Sequence, residues 1–199
     1  MIRELWHLPR PNGTKYPGGF PLHFEKRLFQ TYKPAMILQP FGGKAEYGMR
    51  VDINPEVKPD IVADACRLPF ADESFDFVLC DPPYSTDLSG RLYKTGPVNE
   101  GQYIREAVRV CKVGGYVALY HWVMPPRPKG TRYDRLIVII TRIRHHARFC
   151  VVFQRVLTLF GDERLEPHVH RPTRGNRTDA SKPSKENISL KGIDIYNHM

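Results

Sequence analysis

The sequence predicts an α/β fold built on an open, mostly parallel sheet, and three observations carry that prediction. Short apolar runs of strand length recur at 36–38, 49–54, 60–65 and 75–80, and each leads into glycines or a carboxylate. Helical periodicity appears around Phe24, Leu28 and Phe29, and again at Tyr103, Ile104, Ala107, Val108 and Cys111. The fourth apolar run delivers Asp81-Pro82-Pro83-Tyr84 at its C-terminal end, the end at which open α/β sheets bind ligands. Two consecutive prolines remove two backbone donors and fix φ, so the strand must stop in an extended turn that projects Asp81 and Tyr84.

The 199 residues suit one domain with a real core, and 41% hydrophobic content is ordinary for a globular chain. No apolar stretch is long enough to span a bilayer and the N-terminus lacks a secretory pattern, so a cytoplasmic location is expected. Cys66, Cys80, Cys111 and Cys150 are scattered without close pairing and read as reduced core residues rather than a metal site. The net charge of +9 is uneven. Residues 34–84 hold four basic side chains against nine acidic, whereas 123–149 hold seven basic against Asp134 alone. A basic stretch of that kind is the footprint of a phosphate-backbone binder.

Taken in order, residues 1–19 are rich in Pro and Gly and read as an ordered arm or loop. Phe20-Pro21 opens a helix that Pro34 closes. The 36–38 run enters Gln39-Pro40-Phe41-Gly42-Gly43, where glycine lets backbone approach a ligand. The next two strands present Asp52 and Asp64; in a nucleoside-binding α/β fold, a carboxylate placed like Asp52 accepts from ribose hydroxyls. After the tetrad, Ser85 to Gly96 carries Arg91, Tyr93 and Lys94 and reads as a substrate-closing lid or a plain connection. Pro97 suits a first helical position, Gly114-Gly115 ends that helix, and a strand from Tyr116 places His121 and Trp122 at its crevice end, in the pocket or in core and edge roles. The Pro-rich 123–134 stretch excludes a regular helix. Two apolar strands, 136–140 and 149–153, are joined by a basic turn.

The ordered set resembles S-adenosylmethionine-dependent class I methyltransferases that modify exocyclic amino groups of nucleic-acid bases. The tetrad resembles their catalytic motif, Gln39-Pro40-Phe41-Gly42-Gly43 their glycine motif, and Phe20-Pro21 the segment that closes one side of the cofactor pocket. The resemblance implies a Rossmann-like sheet ending in an antiparallel strand pair, with a reduced helix complement. It implies S-adenosylmethionine held by Phe20, by Pro40, Phe41, Gly42 and Gly43 near its methionine part, by Asp52 and Ile53 at the ribose, and by Asp64 and Ala65 at the adenine, with Asp81 adjoining. Asp81, Pro82, Pro83 and Tyr84 become the catalytic residues. The expected activity is methyl transfer to adenine N6 in DNA; the alternatives are an RNA base amino-methyltransferase and a non-catalytic nucleic-acid-binding subunit. Arg91, Lys94, Arg127, Lys129, Arg132, Arg142, Arg144 and Arg148 are the expected nucleic-acid contacts.

The sequence departs from that family twice. Gln39 stands where an acidic residue is usual, and could meet the cofactor's amine only as a neutral acceptor. Only Lys44 to Gly48 separate the glycine motif from the next strand, too few for a crossover helix, which needs about a dozen residues. The pairing is therefore unusual, or a minimal loop crossover leaves part of one sheet face bare, to be covered by a second copy or a partner subunit. The expected methyltransferase domain is 1–161, with 1–19 as its arm; 162–199 is polar, aperiodic and expected to be a weakly ordered tail.

Overall fold

The computed structural model describes residues 1–10, 19–83, 98–141 and 147–157. Among them, eight strands form one sheet in the order β1-β7-β8-β6-β5-β2-β3-β4. They are β1 (Ile2–His7), β2 (Ile37–Pro40), β3 (Met49–Asp52), β4 (Ile61–Val62), β5 (Phe75–Cys80), β6 (Cys111–His121), β7 (Thr131–Ile140) and β8 (Arg148–Arg155). All neighbours pair in parallel except β8, which is antiparallel to both β6 and β7. Helices α1 (Phe24–Tyr32) and α2 (Glu100–Val110) and a 3-10 turn at Pro55–Val57 complete the described elements. The expected sheet, antiparallel pair and short helix complement are present.

The short connection after the glycine motif is resolved by the pairing. Leu38 lies opposite Met49 and Pro40 opposite Val51, so β2 and β3 are ordinary parallel neighbours and 41–48 make the whole crossover without a helix. The chain turns that tightly by entering the left-handed region at Phe41 (φ 60), Gly43 (φ 43) and Gly48 (φ 69). A Cβ on Gly48 would lie 2.5 Å from the Ile37 Cβ, so no other residue fits that close return past β2.

Two apolar layers sandwich the sheet. On one side α2 lays Tyr103, Ile104, Ala107 and Val110 over Leu38, Val78, Cys80, Val117 and Leu119. On the other, α1 lays Phe24, Leu28 and Phe29 over Phe77, Leu79, Ala118 and Tyr120, joined by Trp6, Ile137 and Ile139. Each such large side chain, once buried, contributes about 1.5–3 kcal/mol. The cover stops short at the β1–β7 edge. Ile137 and Ile139 are buried, but Leu136, Val138 and Ile140 on the α2 side are half-buried and Leu5 is 55% exposed. That is the partly bare face expected from the missing helices.

Several boundaries differ from expectation. The arm begins with strand β1, which extends the sheet beyond the β7–β8 pair through Leu5 opposite Val138 and a Glu4–Arg135 ion pair. Helix α1 starts at Phe24, not Phe20. Helix α2 is capped by Asn99, whose Oδ1 accepts from the Gln102 N–H at 3.1 Å, and stops at Val110. Strand β6 follows at once, so Cys111 is a strand residue and Gly114-Gly115 lie inside β6, where its register with β5 is irregular between Phe75 and Phe77. All four cysteines are free thiols; Cys80, Cys111 and Cys150 are buried, and burial pushes the Cys111 thiol up to about 12.

Candidate active site

Register brings the crevice together. The chain moves outward from β2 to β3 and β4 on one side and to β5 and β6 on the other, so the order reverses between β2 and β5. At such a switch point the loops after neighbouring strands diverge and leave a crevice beyond the strand ends. Leu38 lies opposite Val78, which sets Pro40 level with Cys80. The glycine turn and Asp81-Pro82-Pro83 therefore leave the sheet side by side. Asp52 lies opposite Val62, which puts Asp64 just beyond it.

The glycine turn is held from beneath. Gly43 N donates to Asp52 Oδ2 at 3.1 Å and Gly42 N to the Val51 carbonyl at 3.0 Å. A Cβ on Gly42 would stand 2.7 Å from the Gln39 carbonyl and 2.8 Å from the Arg50 Cβ. The glycine is thus required already by the turn's own packing on β3. Gln39 is 1% exposed. Its Nε2 donates to Glu25 Oε1 at 2.6 Å and to the Tyr47 carbonyl at 2.7 Å, tying β2 to α1 and to the short crossover. Both amide hydrogens are spent on the protein, while the buried Oε1 has no protein partner among the described residues. Glu25 is 8% exposed, and burial holds its carboxyl above the usual carboxylate range despite these hydrogen bonds. This Glu25–Gln39 clamp was not legible in the sequence, where Glu25 sits beside Phe24 with no mark of its partner.

Asp81 is half-buried between the two apolar layers. Its charge bears on Tyr103 of α2 from one side and on Tyr120 of β6 from the other. Both phenols are buried, and burial first, with Asp81 adding, raises them above the ordinary tyrosine range. Phe41 of the glycine turn packs edge-on against Tyr103 at 5.2 Å, and Phe20 edge-on against Tyr120, also at 5.2 Å. The two tyrosines thus link the glycine turn and the Phe20 segment to Asp81. Helical spacing marked Tyr103 only as core. Pro82 is buried and Pro83 half-buried; Tyr84 lies outside the described residues.

On the cofactor side, Asp52 also accepts from Asn54 N at 2.9 Å through Oδ1, and Asp64 is exposed with Oδ1 accepting from Cys66 N at 2.8 Å. Ile53 is 51% exposed beside Asp52. Pro40 is buried, and Ala65 turns into the core. His121 ends β6; desolvation, with Arg148 adding, lowers its pKa, and its Nδ1 accepts from Val123 N at 3.1 Å.

The basic residues divide. Arg148 starts β8 at the crevice end, next to Phe149, which pairs with His121. Arg132 bonds Gln154, the partner of Tyr116, five residues down β6 from His121, or about 16 Å at strand rise. Arg127 is anchored to the Thr131 carbonyl at the same far end, and Lys129 precedes it on an exposed loop position. Arg127, Lys129 and Arg132 are therefore not brought to the crevice. Arg91, Lys94, Arg142 and Arg144, the 85–96 segment and the tail lie outside the described residues. Among the described residues no helix is long and apolar enough to cross a membrane.

A family described as a methyltransferase domain matches residues 45–119. No curated protein matches the sequence. Among solved structures, TrmN from Thermus thermophilus superposes with a TM-score of 0.51 at 19% identity, over 70% of this chain and 50% of its own, so the present chain spans half the length of that relative. A SAM-dependent methyltransferase from Methanosarcina mazei gives 0.48 at 16% identity, over 66% and 98%. The 1,6-didemethyltoxoflavin-N1-methyltransferase of Burkholderia thailandensis, bound to S-adenosylhomocysteine, gives 0.46 at 7% identity, over 66% and 76%. The chain has the Rossmann-like fold of the class I methyltransferases, and its central stretch, 45–119, is similar to a methyltransferase-domain family.

Proposed function

We propose that the protein methylates an exocyclic amino group of a nucleic-acid base, with adenine N6 in DNA as the favoured target. The observation that carries this reading is Asp81-Pro82-Pro83 at the end of β5, beside the glycine turn at the switch point and with Tyr103 and Tyr120 flanking the carboxylate. Asp at the first tetrad position resembles the adenine enzymes more than the cytosine ones.

The residues fit the cofactor. Two backbone N–H groups occupy two of the roughly four acceptor positions on the Asp52 carboxylate, which leaves capacity for the ribose hydroxyls. Ile53 offers exposed apolar surface beside it, and Asp64 an exposed carboxylate for an adenine amino group. When bound, S-adenosylmethionine supplies an electrophilic methyl group. An adenine amino nitrogen shares its lone pair with the ring and is a poor nucleophile. Asp81 accepts one of its N–H bonds and the Pro82 carbonyl the other, which favours a pyramidal nitrogen and stabilises the positive charge developing there. Two prolines in succession hold these acceptors in place, and positioning supplies most of the rate because nothing covalent forms with the protein. Tyr84 is assigned base stacking by the resemblance alone. A target base in a duplex must be flipped out at a cost of a few kcal/mol.

The test is transfer from labelled S-adenosylmethionine to duplex DNA, single-stranded DNA and RNA, read by nucleoside mass spectrometry. Methyladenine in DNA that disappears in Asp81→Ala, with S-adenosylhomocysteine affinity retained in calorimetry, is the expected result. Label in RNA alone reassigns the polymer. Equal loss of transfer and cofactor affinity in Asp81→Ala removes Asp81 from its catalytic role. No transfer and no cofactor binding by the wild type would favour a non-catalytic subunit.

A further inference from the structure

Where β6 leaves the sheet, the His121 Nδ1 accepts the Val123 N–H at 3.1 Å and turns the chain outward. Three consecutive large apolar residues then stand in solvent: Trp122 at 45% exposure, Val123 at 59% and Met124 at 43%. Such runs are rare on soluble surfaces unless they serve a contact. The Arg148 guanidinium stands 5.2 Å from the centre of the Trp122 ring, within cation–π reach. The pair adjoins the candidate active site, because Trp122 follows His121, which pairs with Phe149 beside Arg148, and Leu119 of the same strand pairs with Cys80 beside Asp81. Trp6 shows the contrast: it too lies under a guanidinium, that of Arg27 at 4.2 Å, but it is 1% exposed.

We propose that Trp122 and Arg148 form a stacking platform for a nucleobase of single-stranded nucleic acid, next to the target base held at Asp81. This rests on the nucleic-acid reading above. An exposed indole offers a flat apolar face that every base can stack on, and Arg148 adds a cation for the adjoining phosphate. A chain of net charge +9 is complementary to a polyanion. Val123 and Met124 extend the apolar surface. A protein partner would match the apolar residues but not the cation set over the ring, so single-stranded nucleic acid is the occupant that uses all the features.

The two tryptophans make the test direct, since only Trp122 is exposed to a quencher. The full-length protein, with S-adenosylhomocysteine present, is titrated with single-stranded oligodeoxynucleotides and oligoribonucleotides, following intrinsic fluorescence and the anisotropy of a labelled oligonucleotide. Saturable quenching is expected. Trp122→Ala should weaken binding about tenfold or more, the scale of one lost base stack, while Trp122→Phe stays within a few-fold of wild type. Arg148→Gln should weaken binding and flatten its salt dependence by about one phosphate contact. Absence of quenching, or wild-type affinity in Trp122→Ala, overturns the platform. Wild-type affinity combined with a smaller sedimenting species would reassign the surface to protein contact. Methyl transfer is scored separately. Transfer with an unchanged nucleic-acid KM in Trp122→Ala overturns the platform and leaves the activity standing. Quenching without transfer to any polymer overturns the activity and leaves the platform as a binding site.

Discussion

Replacing Glu25 tests the clamp that stands in for the missing crossover helix. Glu25 is 8% exposed on the first turn of α1 and accepts from Gln39 Nε2 at 2.6 Å and from Glu46 N at 3.3 Å. In Glu25→Ala, a Gln39 amide hydrogen loses its acceptor where water does not reach, at a cost of about 1–3 kcal/mol. One methylene of burial, the Cγ, disappears as well, about 0.8 kcal/mol. The total is about 3 kcal/mol, a large part of the roughly 5–15 kcal/mol that holds a domain folded. With an m-value of about 2 kcal/mol per molar, the urea midpoint falls by about 1.5 M. Glu25→Gln keeps the volume and the acceptor for Gln39, and gives up only the weaker bond from Glu46 N. Burial already outweighs the hydrogen bonds to the ionised form and raises the carboxyl pKa. The amide should therefore cost about 1 kcal/mol or less. The sign with pH follows. A carboxyl with a raised folded pKa binds its proton more tightly in the native state, so that contribution is present at low pH and lost as pH rises through the folded pKa. The advantage of the wild type over Glu25→Gln is therefore fully present below the ordinary carboxylate range and shrinks as pH rises above it. Urea titrations of the three proteins across this range decide it. A midpoint drop under about 0.5 M for Glu25→Ala, or an advantage that widens with pH, refutes the clamp.

Other perturbations address neighbouring features. Gly42→Ala places a methyl 2.7 Å from the Gln39 carbonyl and should cost about 1–3 kcal/mol by strain, visible as a lower thermal midpoint and weaker S-adenosylhomocysteine binding. Asp52→Ala removes the acceptor of Gly43 N and the proposed ribose contact; at about 1.5–3 kcal/mol for bonds to a charged acceptor, calorimetry should show cofactor affinity falling at least tenfold. For the half-exposed strip of Leu5, Leu136 and Val138 we propose a second copy of the chain as the cover. Sedimentation at micromolar concentration should then give a dimer of the 23.0 kDa chain that Leu5→Lys dissociates, and a wild-type monomer would remove that proposal.

What the sequence determined by itself is what local chemistry writes into short stretches. The 75–80 run had to be a buried strand because every residue but Asp76 is apolar, and two prolines had to end it, so Asp81 at a strand end was legible from those eight residues. The α1 face was legible from Phe24, Leu28 and Phe29, and the helix-free β2–β3 crossover from the shortness of 44–48. Boundaries failed where two periods overlap: the apolar residues from Val108 to Val113 satisfy helix and strand alike, so β6 was begun late. Strand β1 was missed because its partner, β7, lies about 130 residues away and its own six residues are followed by a Pro- and Gly-rich stretch.

Tertiary structure alone decided which distant residues meet. Glu25 meets Gln39 only because α1 crosses the sheet above β2, and Tyr103 and Tyr120 lie on opposite sides of Asp81 only because α2 covers one face of the sheet while Tyr120, on the strand next to β5, turns to the other. The basic residues of 123–149 look like one cluster in sequence, yet β7 runs parallel to β6. The intervening loop must therefore travel the length of the sheet, carrying Arg132 to one end while Arg148 stays at the other. Periodicity and composition act over a few residues and are written along the chain; strand order and direction arise from the packing of the whole, and they set which charges share a crevice.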